Sequence, residues 1–226
     1  MPVIAQSNEL RQSLGTLPHV LSVGKVRIED NVIQYMSLET GTLGRAEICR
    51  LDVHSAGELF EFYAEGLSEL PRRLFAPYPL FHTPPATIDE LASRIAEWKN
   101  EADWTALNLV SGKQIVAFGL LKRISTENVT SSIAVRDNSL KRGVGQLLQT
   151  IIVEQARLLN VKHFHIKVLS DNLASIRLHE KCGFRLTRVL PPSLYGDMLI
   201  YLSERDRRNG RREVNRQILE MVIDLT

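Results

Sequence analysis

The 226-residue chain carries 28 Lys and Arg against 26 Asp and Glu, a formal charge of +2, with 44% hydrophobic and 24% charged residues. These proportions belong to a globular chain with a sizeable core and exclude a disordered chain, an acidic tail or a wholly basic nucleic-acid coat. No apolar run approaches the roughly 18–20 residues of a membrane span. The start lacks a basic-then-apolar leader pattern, and two cysteines, Cys49 and Cys182, fit a reducing, cytoplasmic setting better than a disulfide scaffold.

Taken in chain order, residues 1–18 are weakly patterned and read as a loose arm. His19–Arg27 and Val32–Leu38 have strand composition, with Glu29-Asp30-Asn31 placed to turn a hairpin. Ala46–Asp52 reads as a strand and Ala56–Ala64 as a helix. Leu67 to Pro85 holds Pro71, Pro77, Pro79, Pro84 and Pro85, which predicts a loop with little regular helix. Thr87 and Glu90 form a capping-box pair before a helix over Ile88–Lys99. Three strands follow: Trp104–Val110, Gln114–Arg123 and Val129–Val135. Gly143–Leu159 has the longest helical pattern, His163–Leu169 reads as a strand, Leu173–Cys182 as a helix stopped by Gly183, and Phe184–Leu190 and Asp197–Ser203 as strands. Strand, helix and strand across 129–169 predict a right-handed crossover between parallel strands. The fold class expected is mixed α/β, antiparallel first and parallel in the middle.

The most informative stretch is Ile133-Ala134-Val135-Arg136-Asp137-Asn138-Ser139-Leu140-Lys141-Arg142-Gly143-Val144-Gly145. A strand ends, a basic loop turns, and two glycines open a helix. Uncapped amides, the helix dipole, Lys141 and Arg142 make such a turn suited to phosphate. No Gly-Lys-Ser/Thr follows, and Leu148 stands where a dinucleotide fingerprint has its third glycine. A helix start that uses glycine for turn geometry alone fits the loop equally well.

A second segment, Asn172-Leu173-Ala174-Ser175-Ile176-Arg177-Leu178-His179-Glu180-Lys181-Cys182-Gly183-Phe184, follows the crossover. Together the two resemble the motifs of the GNAT superfamily of N-acetyltransferases, Gln/Arg-x-x-Gly-x-Gly/Ala after an aliphatic strand and Asn-x-x-Ala/Ser-x-x-Leu-Tyr-x-x-x-Gly-Phe. The resemblance is specific over about 129–190 and extends loosely over about 45–204. It implies a GNAT-like, mostly antiparallel sheet with a central parallel pair splayed around acetyl-CoA and helices on both faces. The organisation it implies is an N-terminal extension over 1–40, an acetyltransferase domain over 41–204 and a basic amphipathic C-terminal helix over 205–226.

The resemblance assigns roles residue by residue. Backbone groups of Ile133, Ala134 and Val135 would meet the pantetheine and the thioester carbonyl. Amides and charges of Lys141, Arg142, Gly143, Val144 and Gly145 would hold the pyrophosphate, with Arg136 completing a basic patch. Asn172 and Ser175 would face the pantetheine arm, Asn172 having helix capping as its structural alternative. Two positions depart from the motifs: Leu140 replaces Gln/Arg, and His179 replaces the Tyr that often protonates the departing thiolate. His179 is then either the general acid or a wall residue. Val129 and Lys167 stand where some relatives carry a catalytic Glu, so Glu127 is the nearest candidate base, with a solvated strand-end charge as its alternative. His163 and His165 lack a third ligand at supporting spacing, and no metal is expected.

The proline-rich loop offers Arg72, Arg73, Phe75, Tyr78 and Phe81, with His82, as an acceptor-binding surface, or as a lid packed by its own aromatics. Between Arg205 and Arg216, six arginines against two carboxylates give a net +4, leaving −2 for the rest. Val214, Ile218, Met221, Val222 and Leu225 stand at helical spacing, so the arginines read as a solvated helix face, a homodimer surface or a partner patch, with nucleic acid disfavoured. The function implied is acetyl transfer from acetyl-CoA to the primary amine of a small molecule or protein. A non-catalytic acyl-CoA-binding or sensing module is the alternative.

Overall fold

A computed structural model describes residues 3–75, 80–81, 83–98, 103–191, 196–210 and 215–225. It comprises two compact units, Met1–Phe164 with Leu225–Thr226, and His165–Asp224.

The first unit is built on an antiparallel sheet of six sequential strands: β1 (Val20–Glu29), β2 (Val32–Thr40), β3 (Gly44–Arg50), β4 (Trp104–Ser111), β5 (Gln114–Arg123) and β6 (Asn128–Val135). The β1–β2 turn places Asp30 at φ 51° and Asn31 at φ 61°. This is the left-handed pair that a two-residue hairpin on twisted strands requires. Alternation on β5 shows how the layers form. Phe118 joins a core with Leu59 and Phe62 of helix α2 (Ala56–Ala64) and Leu91 and Ile95 of helix α4 (Ile88–Trp98). The adjacent Gly119 faces the other way: a Cβ there would stand 2.3 Å from Ile152 Cδ1 and 3.3 Å from Leu148 Cδ2 of helix α5 (Val144–Leu158). A side chain at this position would require the tip of Ile152 to move aside. The N-cap half of the expected capping box is present, Glu90 N–H donating to Thr87 Oγ1 at 3.1 Å, while Glu90 Oε2 reaches one residue further back and accepts from Ala86 N–H at 2.7 Å.

Two expectations for this unit are corrected. The loose arm is helix α1 (Val3–Gly15), which buries Leu10 and Leu14 and packs on β1 and α5. Its apolar residues are too sparse to announce a helix until that seam is supplied. The proline-rich loop contains helix α3 (Glu69–Leu74), whose Pro71 falls in the first turn, where its missing N–H costs no intrahelical bond.

The second unit orders its strands β7 (His163–Leu169, beginning two residues before the unit boundary), β9 (Ile218–Asp224) and β8 (Arg185–Leu190), with β8 and β9 antiparallel. Helix α6 (Leu173–Lys181) and helix α7 (Gly196–Arg208) complete it. Here the expected C-terminal helix over 205–226 is corrected, because Ile218–Asp224 is a strand. Spacings of three and four among Ile218, Met221 and Val222 satisfy a helical period, but pairing with β8 buries Ile218, Glu220 and Met221. The strand expected over Asp197–Ser203 lies instead in α7, which runs on to Arg208 and ends at Asn209-Gly210, with Gly210 at φ 63°. The arginine segment is thereby divided. Arg205, Arg207 and Arg208 close α7, Arg211 and Arg212 lie outside the described residues, and Arg216 precedes β9.

The fold class is the mixed α/β, predominantly antiparallel arrangement expected from the sequence.

Candidate active site

The end of β6 and the start of α5 form the anion-ready turn. β6 pairs with β5 through Val135↔Ala117 and Ala134↔Phe118, after which Arg136 turns the chain. Arg136 does not join a basic patch. It is buried, its Nε donating to the Ile115 carbonyl at 3.2 Å and its guanidinium pairing with Glu61 at 2.9 Å. Asp137 N–H donates to the Gly66 carbonyl, and Asp137 Oδ2 accepts from Ser68 N–H, both at 2.9 Å. The loop is therefore bolted to the corner between α2 and α3.

From there the backbone takes two left-handed steps, Lys141 at φ 60° and Gly143 at φ 78°. The first bond of α5 runs from Leu147 N–H to the Gly143 carbonyl, and among the described residues no side chain caps this helix. The amides of the first turn are left without intrahelical partners, under the positive end of the dipole. Lys141 and Arg142 are exposed beside them, and one Arg142 nitrogen donates to the Thr42 carbonyl. Leu140 is half exposed. His19 forms a wall behind Gly143: a Cβ on Gly143 would stand 2.4 Å from His19 Cδ2. Sequence reasoning missed all these buttresses (Glu61, Gly66, His19 and Thr42), because each meets the loop from far along the chain.

In the second unit, Asn172 caps α6 through Oδ1, which accepts from Ser175 N–H at 3.1 Å. His179 is buried, stacked edge-on against Phe184 with centroids 5.4 Å apart. Its Nδ1 lies 2.7 Å from the Ser175 carbonyl oxygen and 3.3 Å from Ser175 Oγ. A carbonyl only accepts, so Nδ1 carries the hydrogen. Burial pulls the imidazole pKa down to about 4, against a smaller upward pull from the Ser175 carbonyl. The ring is neutral at pH 7, and its Nε2 has a lone pair rather than a proton. This is the opposite of what a proton donor at that position requires. The Asp171–Asn172 turn is held from the C-terminal side. Arg216 pairs with Asp171 and stands 2.7 Å from the buried Asp206 without hydrogen-bond alignment, while Ser170 N–H donates to the Gln217 carbonyl and Ser170 Oγ accepts from Gln217 N–H.

The other expected residues fall as follows. Glu127 is half exposed beside Lys162, whose ammonium holds its carboxylate below the ordinary range. Arg72 donates to the Ala64 carbonyl at 2.8 Å, and Arg73 lies in the same α3. Phe75 and Phe81 are buried, Phe81 stacked on Tyr63 at 4.2 Å and Phe75 edge-on to Phe118 at 5.7 Å. As core aromatics they are not free to form an acceptor surface. Tyr78 and His82 lie outside the described residues. His165 Nδ1 is 3.6 Å from Glu220, and among the described residues no three His, Cys, Asp or Glu converge as a metal site. No described helix is long and apolar enough to cross a membrane.

The strand β6, the uncapped glycine turn and helix α5 packed on the antiparallel sheet make up this part of the first unit. Residues 68–184, about half of the chain, match the model of the acetyltransferase (GNAT) family. The chain belongs to that family. Among solved structures it is similar to the GNAT domain of PAT from S. lividans, at 20% identity and TM-score 0.57, over 80% of this chain and 91% of that one. It is also similar to spermidine N-acetyltransferase from Vibrio cholerae in complex with CoA and spermine, at 14% identity and TM-score 0.59, over 80% and 95%. A third is yncA, a putative acetyltransferase from Salmonella typhimurium with its cofactor acetyl-CoA, at 16% identity and TM-score 0.57, over 80% and 94%. No curated protein matches the chain.

Proposed function

We propose that this protein binds acetyl-CoA and transfers its acetyl group directly to a primary amine. The observation that carries this reading is the uncapped start of α5, with left-handed Lys141 and Gly143 held open by Arg136, Asp137 and His19. A turn fixed from behind and unsatisfied in front is preorganised for a diphosphate. Amides from Lys141 to Gly145 and the charges of Lys141 and Arg142 receive it. Ile133, Ala134 and Val135 offer backbone groups to the pantetheine and polarise the thioester carbonyl as negative charge develops there. Asn172 uses Oδ1 for capping, which leaves its amide NH2 available as a donor.

In the reaction, the amine nitrogen attacks the thioester carbon, the C–N bond forms, and the C–S bond breaks to release CoA thiolate. The nitrogen gives its proton to water, and the thiolate takes one from solvent. Glu127, ionised but exposed, serves at most through a water chain, and the neutral His179 donates no proton. Cys49 and Cys182, neither of them in a disulfide, suit a reducing compartment. The same neutral His179 favours a second reading, a module that binds acyl-CoA without turning it over. Family membership weighs toward catalysis.

The experiment is calorimetric titration with acetyl-CoA, followed by thiol release over a panel of amino acids, polyamines, aminosugars and peptides. Amine-dependent release supports transfer, binding without release supports the sensing module, and absence of binding rejects both.

A further inference from the structure

Building on the reading that acetyl-CoA binds at the β6–α5 turn, we propose that Asp137 couples this turn to helix α3, so that the bound diphosphate tightens the local folding of α3. Asp137 is exposed and makes bonds in both directions. Toward the turn, its carbonyl accepts from Leu140 N–H at 3.3 Å, immediately before the left-handed Lys141. Toward α3, its N–H donates to the Gly66 carbonyl and its Oδ2 accepts from Ser68 N–H, both at 2.9 Å. One residue thus joins the last step into the turn to the corner from which α3 starts.

The element that responds is α3 itself. It has six residues, and its N-cap, Ser68, makes no side-chain cap bond. A helix of that length does not hold by itself, because nucleation costs more than so few bonds return. Its order therefore depends on docking. Arg72 donates to the Ala64 carbonyl at 2.8 Å, and the Tyr63 hydroxyl donates to the Arg72 carbonyl at 3.4 Å, both contacts with α2. The bonds of Asp137 are the tie to the turn. The corner fits closely against its other neighbours: a Cβ on the buried Gly66 would stand 2.5 Å from the Phe62 carbonyl oxygen and 3.0 Å from Arg136 Nε.

A diphosphate that fixes the amides from Lys141 to Gly145 narrows the excursions of Leu140 and, through it, of Asp137. Ser68 N–H then keeps its acceptor for a larger fraction of the time, and the local opening of α3 becomes rarer. The coupling is reciprocal: α3 docked on Asp137 favours the turn geometry that binds acetyl-CoA by the same factor. Asp137 is a positioning residue in this scheme and touches neither the thioester nor the amine. The α2–α3 corner is firm when the acetyl donor is loaded and looser when it is absent.

The test is amide hydrogen exchange on the full chain, with and without saturating acetyl-CoA, and does not depend on acetyl transfer. In the wild type, acetyl-CoA is expected to slow exchange over residues 66–75 about fivefold, the lower end of usual couplings between sites. Asp137→Asn, whose Oδ1 still accepts, should keep the slowing. Asp137→Ala should remove it and weaken acetyl-CoA about fivefold in calorimetry, while ligand still protects the first turn of α5. Ser68→Ala changes the N-cap residue but keeps its N–H, and should leave the slowing in place. Ser68 and Asp137 are both exposed, so all three variants should fold, which their unfolding temperatures check. Acetyl-CoA binding with unchanged exchange over 66–75 overturns this coupling alone. So does slowing that survives Asp137→Ala, or that Asp137→Asn or Ser68→Ala removes as fully. Absence of acetyl-CoA binding to the wild type overturns the functional reading and the coupling with it.

Discussion

Acid should destabilise this protein through His179, and the size of the effect follows from its burial. The imidazole has a pKa of about 4 in the folded chain, against 6.5 for the free group, because burial disfavours the imidazolium. Between those values the unfolded chain binds a proton that the folded chain refuses. The stabilisation is complete above pH 6.5 and is lost as pH falls toward 4. A gap of about 2.5 pH units corresponds to about 3 kcal/mol from this one residue. The assay is urea unfolding of wild type and His179→Phe at intervals from pH 7 to pH 4. The wild-type free energy should fall more steeply than the variant's, with the two curves differing by about 3 kcal/mol more at pH 4 than at pH 7. The proton resonance of the His179 ring should titrate near 4. Parallel stability curves with a ring titrating near 6.5 would refute the neutral, Nδ1-protonated assignment. That result would also return His179 to candidacy as the proton donor to CoA thiolate.

Other expectations follow from the same geometry. Gly143→Ala forces a Cβ onto His19 in left-handed backbone and should cost about 1–3 kcal/mol, with weakened acetyl-CoA binding. Adding His19→Ala should restore only the clash component, read by a double-mutant cycle of unfolding. Lys141→Ala should leave stability unchanged and weaken acetyl-CoA by roughly three- to tenfold, most visibly at low salt in calorimetry. Arg216→Ala strands the buried Asp206 and should cost about 3–5 kcal/mol in thermal unfolding. Phe81→Ala should cost about 3–5 kcal/mol, because Phe81 is a core ring; a changed acceptor KM with unchanged stability would restore it to a substrate surface.

How much was legible depended on whether the signal was local. The β6–α5 turn announced itself because strand, basic loop and paired glycines are contiguous, and the capping box of α4 because Thr87 and Glu90 are three residues apart. The β1–β2 hairpin was legible from Asp30 and Asn31, which tolerate left-handed backbone. The C-terminal strand was misread because Ile218, Met221 and Val222 satisfy a helical spacing, and only pairing with β8 decides between the two. Arg136 shows the same limit. Its place in sequence beside Lys141 and Arg142 suggested a shared patch, whereas Glu61, 75 residues earlier, turns it into the core. His179 was located by its motif, but its protonation state depends on Phe184, the Ser175 carbonyl and burial, which exist only in the fold.

The central claim, acetyl transfer from CoA to an amine, is tested most directly by incubating the protein with acetyl-CoA and each amine of the panel. Free thiol and acetylated amine are then quantified together. The account predicts that, with at least one amine, thiol and acetylamide rise in equal amounts, and that both fall with Gly143→Ala. Tight acetyl-CoA binding with no amine-dependent thiol across the panel would contradict it.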